Sequence, residues 1–289
     1  ARIRKLAEEP HYLVMTATPI PRTVALTVFG DLDVTIMREL PPGRKGVLTR
    51  WEAESQRERI YDKFRQRLRE GRQGYLVYPL VEESETMALK SAEQMFEELR
   101  HGAFADFRVG LLHGRLDDET KQTVMDTFRR GALDLLVTTV VIEVGVDVPN
   151  ATMMLIEHAD RFGLSQLHQL RGRVSRGPVA GECYLLGQAT TDETKERLRI
   201  FCRTADGFVL AEEDARLRGL GEFFGTRQHG LGEFRVGDPL IHRDLLELAR
   251  QDAISLVAED AGLKKPEHAA LRRVVLERYG KTLELAEVG

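Results

Sequence analysis

From residue 47 to residue 187 the chain alternates between short, almost uninterrupted apolar runs and longer stretches in which apolar residues recur at helical spacing. VLTRW, GYLVYPLV, FRVGLLHG, LDLLVTTVVIEVGVD, ATMMLIEHA and GECYLLG are the apolar runs. Residues 54 to 70, 86 to 101, 117 to 130 and 165 to 174 are the amphipathic stretches between most of them. Strands without polar alternation are buried on both faces, so this pattern predicts a parallel sheet covered by helices on both sides. Functional loops in such a sheet gather at the carboxyl ends of its strands. Upstream, YLVMT at 12 to 16 predicts a further strand, Pro19 and Pro21 a turn, 22 to 29 a more apolar stretch, and residues 41 to 46 a Pro-Gly linker. Downstream of about residue 190 the pattern becomes helical, with Thr190 or Thr191 as N-cap. A glycine-rich stretch and helices over about 240 to 260 and 266 to 285 follow. The expected domains are 1–45, 46–189 and 190–289.

Composition narrows the class. The 289 residues are 42% hydrophobic and 30% charged, with a formal net charge of -4, which excludes a globally basic nucleic-acid binder but not a local basic stripe. Two cysteines, Cys183 and Cys202, with no CxxC pattern suit a reducing compartment and exclude a disulfide scaffold or a structural zinc site. No apolar run is long enough to cross a membrane. The opening, ARIRKLAEEPHYLVMTATPIP, runs a polar helical stretch straight into a strand without an initiator Met, and the expectation is a piece of a longer protein.

Four short groups carry unusual chemistry: Thr16-Ala17-Thr18, His113-Gly114-Arg115, Thr138-Thr139 through Glu143, Gly145, Asp147 and Pro149, and QLHQLRGRVSRGP at 166 to 178. Singly each reads as a turn, a loop or a solvated helix face. The last is the most pointed. Placed on a helix, Leu167, Leu170 and Val174 fall on one side and pack inward, while Gln169, Arg173 and Arg176 at i, i+4 and i+7 share another. Two guanidinium forks and an amide on one face suit an anion with phosphate-like oxygens. Arg171 points away from this trio and is expected to pack rather than bind.

In order and spacing, TAT, HG, TTxxxExGxDxP and QxxGRxxR resemble motifs III, IVa, V and VI of the superfamily 2 helicases. MTATPIPRTVALTVFGDLDVTIMRELPPGRK and RGLGEFFGTRQHG are similar to the RecG-like branch, and the resemblance covers roughly residues 12 to 260. It implies a RecA-like fold and an ATP-dependent motor on branched DNA such as forks and Holliday junctions, followed by a mainly helical module of hairpin and loop. By resemblance Gln169, Arg173 and Arg176 act on the phosphate tail of ATP, with Gly145 and Asp147 near the nucleotide. Thr16, Thr18, His113, Gly114, Thr138 and Thr139 contact or couple to DNA, and so do Arg218, Glu222, Arg227 and Gln228 in the glycine-rich stretch. The contacts are to backbone rather than base edges. The resemblance also implies Mg²⁺, a first motor domain and wedge domain as intramolecular partners, single-stranded DNA-binding protein as a further partner, a monomer, and a cytoplasmic location.

A phosphate-binding loop needs GxxxxGK[ST]. Gly280-Lys281-Thr282 is the one GKT, but Val275 occupies the position of the first glycine, so the 289 residues hold no such loop. Mg²⁺ ligands are accordingly expected in the first motor domain, none in this chain, and the chain alone is expected not to hydrolyse ATP. Two other readings compete: the corresponding part of a transcription-repair coupling factor, and a nucleotide-independent DNA-binding module. A small-molecule dinucleotide enzyme would need GxGxxG after the first strand, and there is none.

Overall fold

The computed structural model describes residues 13, 15, 35–37, 45–79, 85–139, 147–174, 177–218 and 242–287. The expected strand at 12 to 16, the stretch 22 to 29 and the Pro-Gly linker lie largely outside these residues. So do Thr16, Thr18, Gly145, Arg176, Glu222, Arg227 and Gln228.

Among the described residues six strands form one parallel sheet: β1 (Val47–Glu52), β2 (Gln73–Tyr78), β3 (Val109–Leu112), β4 (Leu135–Thr139), β5 (Ala151–Ile156) and β6 (Gly181–Leu186). Their spatial order is β1-β6-β5-β2-β4-β3, so β1 and β3 are the edges and β2 sits centrally between β4 and β5. The helices are α1 (Arg57–Arg69), α2 (Glu85–His101), α3 (Asp118–Arg129), α4 (Leu164–Arg171), α5 (Asp192–Arg203), α6 (Gly207–Arg218), α7 (Arg243–Glu259) and α8 (Ala269–Glu287).

Alternate residues of each central strand feed two different cores, which is why the strands read as unbroken apolar runs. Tyr75, Val77, Leu136, Met154, Ile156, Cys183 and Leu185 face Met125 and Phe128 of α3, the apolar side of α4, and Leu198, Phe201 and Leu210 of α5 and α6. Leu76, Tyr78, Leu135, Val137, Met153, Leu155, Tyr184 and Leu186 face Ile60, Tyr61, Phe64 and Leu68 of α1 and Leu99 of α2. The helices begin where the sequence provides caps. Asp117 accepts from Thr120 N at 2.8 Å ahead of α3, and Thr191 accepts from Thr194 N at 3.2 Å ahead of α5.

The chain falls into two compact units. Among the described residues, 35–37 and 45–218, with the sheet and α1 to α6, belong to one, and 13, 15 and 242–287 to the other. In the second unit Asp260 closes the α7–α8 connection. It accepts from Lys264 N and Lys265 N at 2.9 Å each and lies 2.9 Å from His268 Nδ1. These contacts hold its carboxyl below the usual carboxylate range, chiefly through the backbone hydrogen bond from Lys265. Leu245, Leu248, Ile254, Val257, Leu271, Val274 and Leu276 of this unit are exposed.

One expected element ends early. The helix expected to run through 174 stops at Arg171, with Gly172 as its C-cap. Arg173 N then bonds Leu170 O and Val174 N bonds Arg171 O, an i to i+3 turn tighter than the helix before it. Leu167, Leu170 and Val174 are buried as expected. Gln169 and Arg173 therefore do not share one continuous helical face.

Candidate functional site

Parallel register brings the carboxyl ends of all six strands to one edge of the sheet. Leu112 pairs with Thr138, Tyr78 with Thr139, Val77 with Ile156, Ile156 with Leu185 and Leu186 with Glu52. His113, Thr139, Tyr78, Glu157, Leu186 and Glu52 consequently line up across that edge.

At the β3–β4 end two buried side chains each hold one polar atom with no partner among the described residues. His113 is 8% exposed and its Nδ1 has no hydrogen bond among the described residues. Burial lowers the His113 pKa, aided by Arg115 and Lys121, so the ring is neutral at physiological pH. Thr139 is 1% exposed and its Oγ1 likewise lacks a partner among the described residues, whereas Thr138 Oγ1 donates to Thr139 O at 2.7 Å. Gly114 is exposed beside them. An unsatisfied buried polar atom costs stability unless something outside the described contacts completes it.

Glu157, missed in the sequence reading, dominates the β5 end. It is 1% exposed, and Arg57 of α1 grips it with both guanidinium nitrogens, Nη2 donating to Oε2 at 2.9 Å. Burial pushes the Glu157 carboxyl up and Arg57 pulls it back without cancelling the shift. Burial alone would lower the pKa of Arg57, but Glu157 and Tyr61 more than restore it, so the guanidinium stays charged. The signal for this pair was a carboxylate directly after the fully buried six-residue parallel strand ATMMLI. His158 follows in the left-handed region at φ 48°. Glu54, Arg57, His158, Asp160, Arg161, Gly187 and Gln188 line a cleft of about 340 Å³.

Gln169 and Asp147 are exposed and Arg173 is half-buried. The loop that ends in Asp147-Val148-Pro149 leads into the first residue of β5, so these residues stand at the amino edge of the sheet. A Cβ on Gly177 would stand 3.0 Å from Pro149 O, so glycine lets the segment after the arginine turn pass directly over that loop. The structure thus gathers His113, Gly114, Thr138 and Thr139 at one edge of the sheet. Away from that edge it sets Gly177, four residues past Arg173, against Pro149, two residues past Asp147. Of the four groups, His113-Gly114 and Thr138-Thr139 stand at carboxyl ends of strands, and Thr16-Ala17-Thr18 lies outside the described residues. Among the described residues no cluster of His, Cys, Asp or Glu could hold a metal ion, and no helix is long and apolar enough to cross a membrane.

Arg171 is buried at 5% exposure and packs, as expected. Its Nη1 donates to Phe201 O and Thr204 O at 2.9 Å each, and its guanidinium carbon lies 4.2 Å from the centre of the Phe201 ring.

Residues 60–177 match the helicase conserved C-terminal domain, and residues 204–288 match the C-terminal part of domain 3 of the ATP-dependent DNA helicase RecG. The RecG of Bacillus subtilis (strain 168) is 47% identical over 276 residues, covering 96% of this chain and 40% of that protein. The RecG of Thermotoga maritima is 49% identical over 264 residues, covering 91% of this chain and 33% of that protein. A solved structure of RecG bound to a three-way DNA junction superimposes with a TM-score of 0.64 at 47% identity, covering 80% of this chain and 30% of that one. The chain therefore spans about two fifths or less of the length of these relatives. The parallel sheet is a RecA-like helicase C-terminal domain, and over the portion they share the chain belongs to the RecG family of helicases.

Proposed function

We propose that residues 46–189 act as the second motor domain, and 190–289 as the translocation module, of an ATP-dependent translocase on double-stranded and branched DNA. Residues 1–45 would then be the tail of the first motor domain. The relatives are named as ATP-dependent DNA helicases, and one is solved on a three-way junction. The observation that supports the reading in this chain is the close approach of Gly177 to Pro149, which sets the segment after Arg173 beside the segment that carries Asp147.

The donors there fit the phosphate tail of ATP: guanidinium forks match phosphate oxygens and the Gln169 amide adds a neutral partner. Bound ATP would supply the phosphoryl group that is transferred to water. Arg173 and Arg176 hold positive charge where negative charge grows, Gln169 orients, and Gly145 and Asp147 border the nucleotide. Mg²⁺ would be held by carboxylates of the first motor domain. At the opposite edge, His113, Gly114, Thr138 and Thr139 present small donors and a neutral imidazole to the DNA backbone, which binds structure rather than sequence. Forks and Holliday junctions, the first motor and wedge domains, and single-stranded DNA-binding protein are the proposed partners of a monomer in the cytoplasm.

The test places this sequence in a RecG of full length. Arg173→Ala or Arg176→Ala should lower DNA-stimulated ATP turnover by roughly 10³-fold, the scale of an arginine finger. ATP affinity should change far less, because the contact strengthens in the transition state. The 289-residue chain alone should release no phosphate above background. DNA-stimulated phosphate release by the isolated chain, or turnover that survives Arg173→Ala, would overturn the reading.

A further inference from the structure

β4 ends at the carboxyl edge of the sheet and β5 begins at the amino edge, with β2 between them. The chain that leads into β5, residues 147 to 150, meets the first residue of β2 at that amino edge. Asn150 makes the joint. Its Nδ2 donates to Gly71 O at 2.8 Å and to Gln73 Oε1 at 3.3 Å, and its Oδ1 accepts from Arg72 Nη1 at 3.2 Å. Its main-chain O accepts from Gln73 N at 3.1 Å. One residue thus holds all three residues that carry the chain from α1 into β2.

These partners leave the two amides no freedom. Arg72 can only donate and the Gly71 carbonyl can only accept, so the Asn150 amide has one orientation. Gln73 is 3% exposed, and its Nε2 donates to Phe128 O at 2.6 Å and Leu133 O at 2.7 Å, which leaves Oε1 as the acceptor for Asn150. The platform beneath is stiff as well. α1 stops with Gly71 at φ 79°, where Gly71 N bonds Leu68 O and Arg72 N bonds Arg67 O. On the other side Val148 is buried in the core and Ala151 N bonds Val148 O at 3.0 Å. Pro149 and Asn150 are therefore the middle of a tight turn, and Pro149 is the residue that Gly177 approaches.

We infer that Asn150 is a positioning residue for ATP turnover. It pins the turn 148–151 to the end of α1, and that turn sets the place of Asp147 and of the segment after Arg173. Asp cannot substitute for it. A carboxylate oxygen would face Gly71 O and Gln73 Oε1, both acceptors, and Gln73 could turn its amide only by orphaning Phe128 O and Leu133 O. Thr138 and Thr139 are held instead by the ladders of β4 with β2 and β3. Loss of the Asn150 contacts should accordingly disturb the nucleotide step and spare the grip on DNA.

The inference rests on the nucleotide roles proposed for Asp147 and Arg173. Its test uses a RecG of full length carrying this sequence and measures kcat and the ATP KM at saturating three-way junction, with junction affinity read separately. Asn150→Asp should lower kcat about tenfold and change the ATP KM by less than about twofold, because misplaced groups that act in the transition state show in kcat. Junction affinity should not move. Asn150→Ala removes the hydrogen bonds without setting oxygen against oxygen and should lower kcat less. Leu68→Val loosens the core beneath α1 and is the reference for lost stability alone; its kcat should be unchanged below its melting temperature. The proposal is overturned if kcat is unchanged in both Asn150 variants, or if kcat and junction affinity fall together. It is overturned equally if both variants fail to fold, read by circular dichroism, or if Leu68→Val loses as much kcat for the same drop in melting temperature. Arg173→Ala, run alongside, separates the two claims. If it retains turnover while Asn150→Asp loses it, the finger assignment fails and Asn150 still positions the Asp147 segment. If it abolishes turnover while Asn150→Asp has none of these effects, the finger stands and the positioning role falls.

Discussion

Glu157 and Arg171 are both charged, both almost fully buried, and satisfied in opposite ways. Glu157 is held by a cation 100 residues earlier in the chain, Arg171 by carbonyls 30 and 33 residues later. Neither partner can be read from local sequence, since each depends on which helix the fold lays beside which strand. Removing the carboxylate leaves Arg57 its contacts with Glu54 and Tyr61, and that side chain is 27% exposed and can turn toward water. Glu157→Ala should therefore cost about 1–3 kcal/mol, below the full penalty for breaking a buried pair. Glu157→Gln, which keeps an acceptor, should cost less. Urea midpoints of the 289-residue chain measure both, and a midpoint unmoved by Glu157→Ala would mean the pair adds nothing.

At the level of elements, strands and helices of the sheet unit were legible because each apolar run serves two cores and each amphipathic stretch serves one. The end of α4 was not. Helical periodicity carries Gln169, Arg173 and Arg176 smoothly onto one face, and Gly172 was the written signal that the face would break. The contact between Gly177 and Pro149 was invisible for the same reason as the buried ion pair: it joins segments whose proximity follows only from strand order. In the second unit the α7–α8 connection makes a measurable claim. Because Asp260 has a depressed folded pKa, the stability it contributes is present above its unfolded value of about 4 and is lost as pH falls below it. Asp260→Asn should lower the helix melting temperature at pH 7, and the difference should narrow as the pH is taken down through the carboxylate range. A difference that persists undiminished in acid would mean the carboxylate charge is not what fastens the turn.

For the whole molecule, DNA-facing and nucleotide-facing groups are proposed at separate ends of one rigid sheet, so coupling between them requires a moving part outside it. RLRGLGEFFGTRQHG, residues 216 to 230, begins in the last residues of α6 and continues beyond the hairpin in the chain. Its two phenylalanines and its Arg and Gln residues are unlike a solvated linker. In a RecG of full length, Arg227→Ala or Gln228→Ala should leave DNA-stimulated ATP turnover largely in place and cripple fork unwinding. Unwinding per ATP that stays constant would exclude this stretch as the coupler.

The two border strands of the sheet are unequal, and this bears on how the chain behaves at high concentration. β3 is four residues long, whereas β1 has six and pairs only with β6 among the described residues. A free strand border is a template on which a second chain can zip, and β1 carries an exposed Leu48. Its gatekeepers are Arg50 and Glu52, charges that a cross-chain ladder would have to bring close to their own copies. Self-association of the isolated chain should thus begin at β1, and neutralising those two side chains would turn a soluble border into a sticky one.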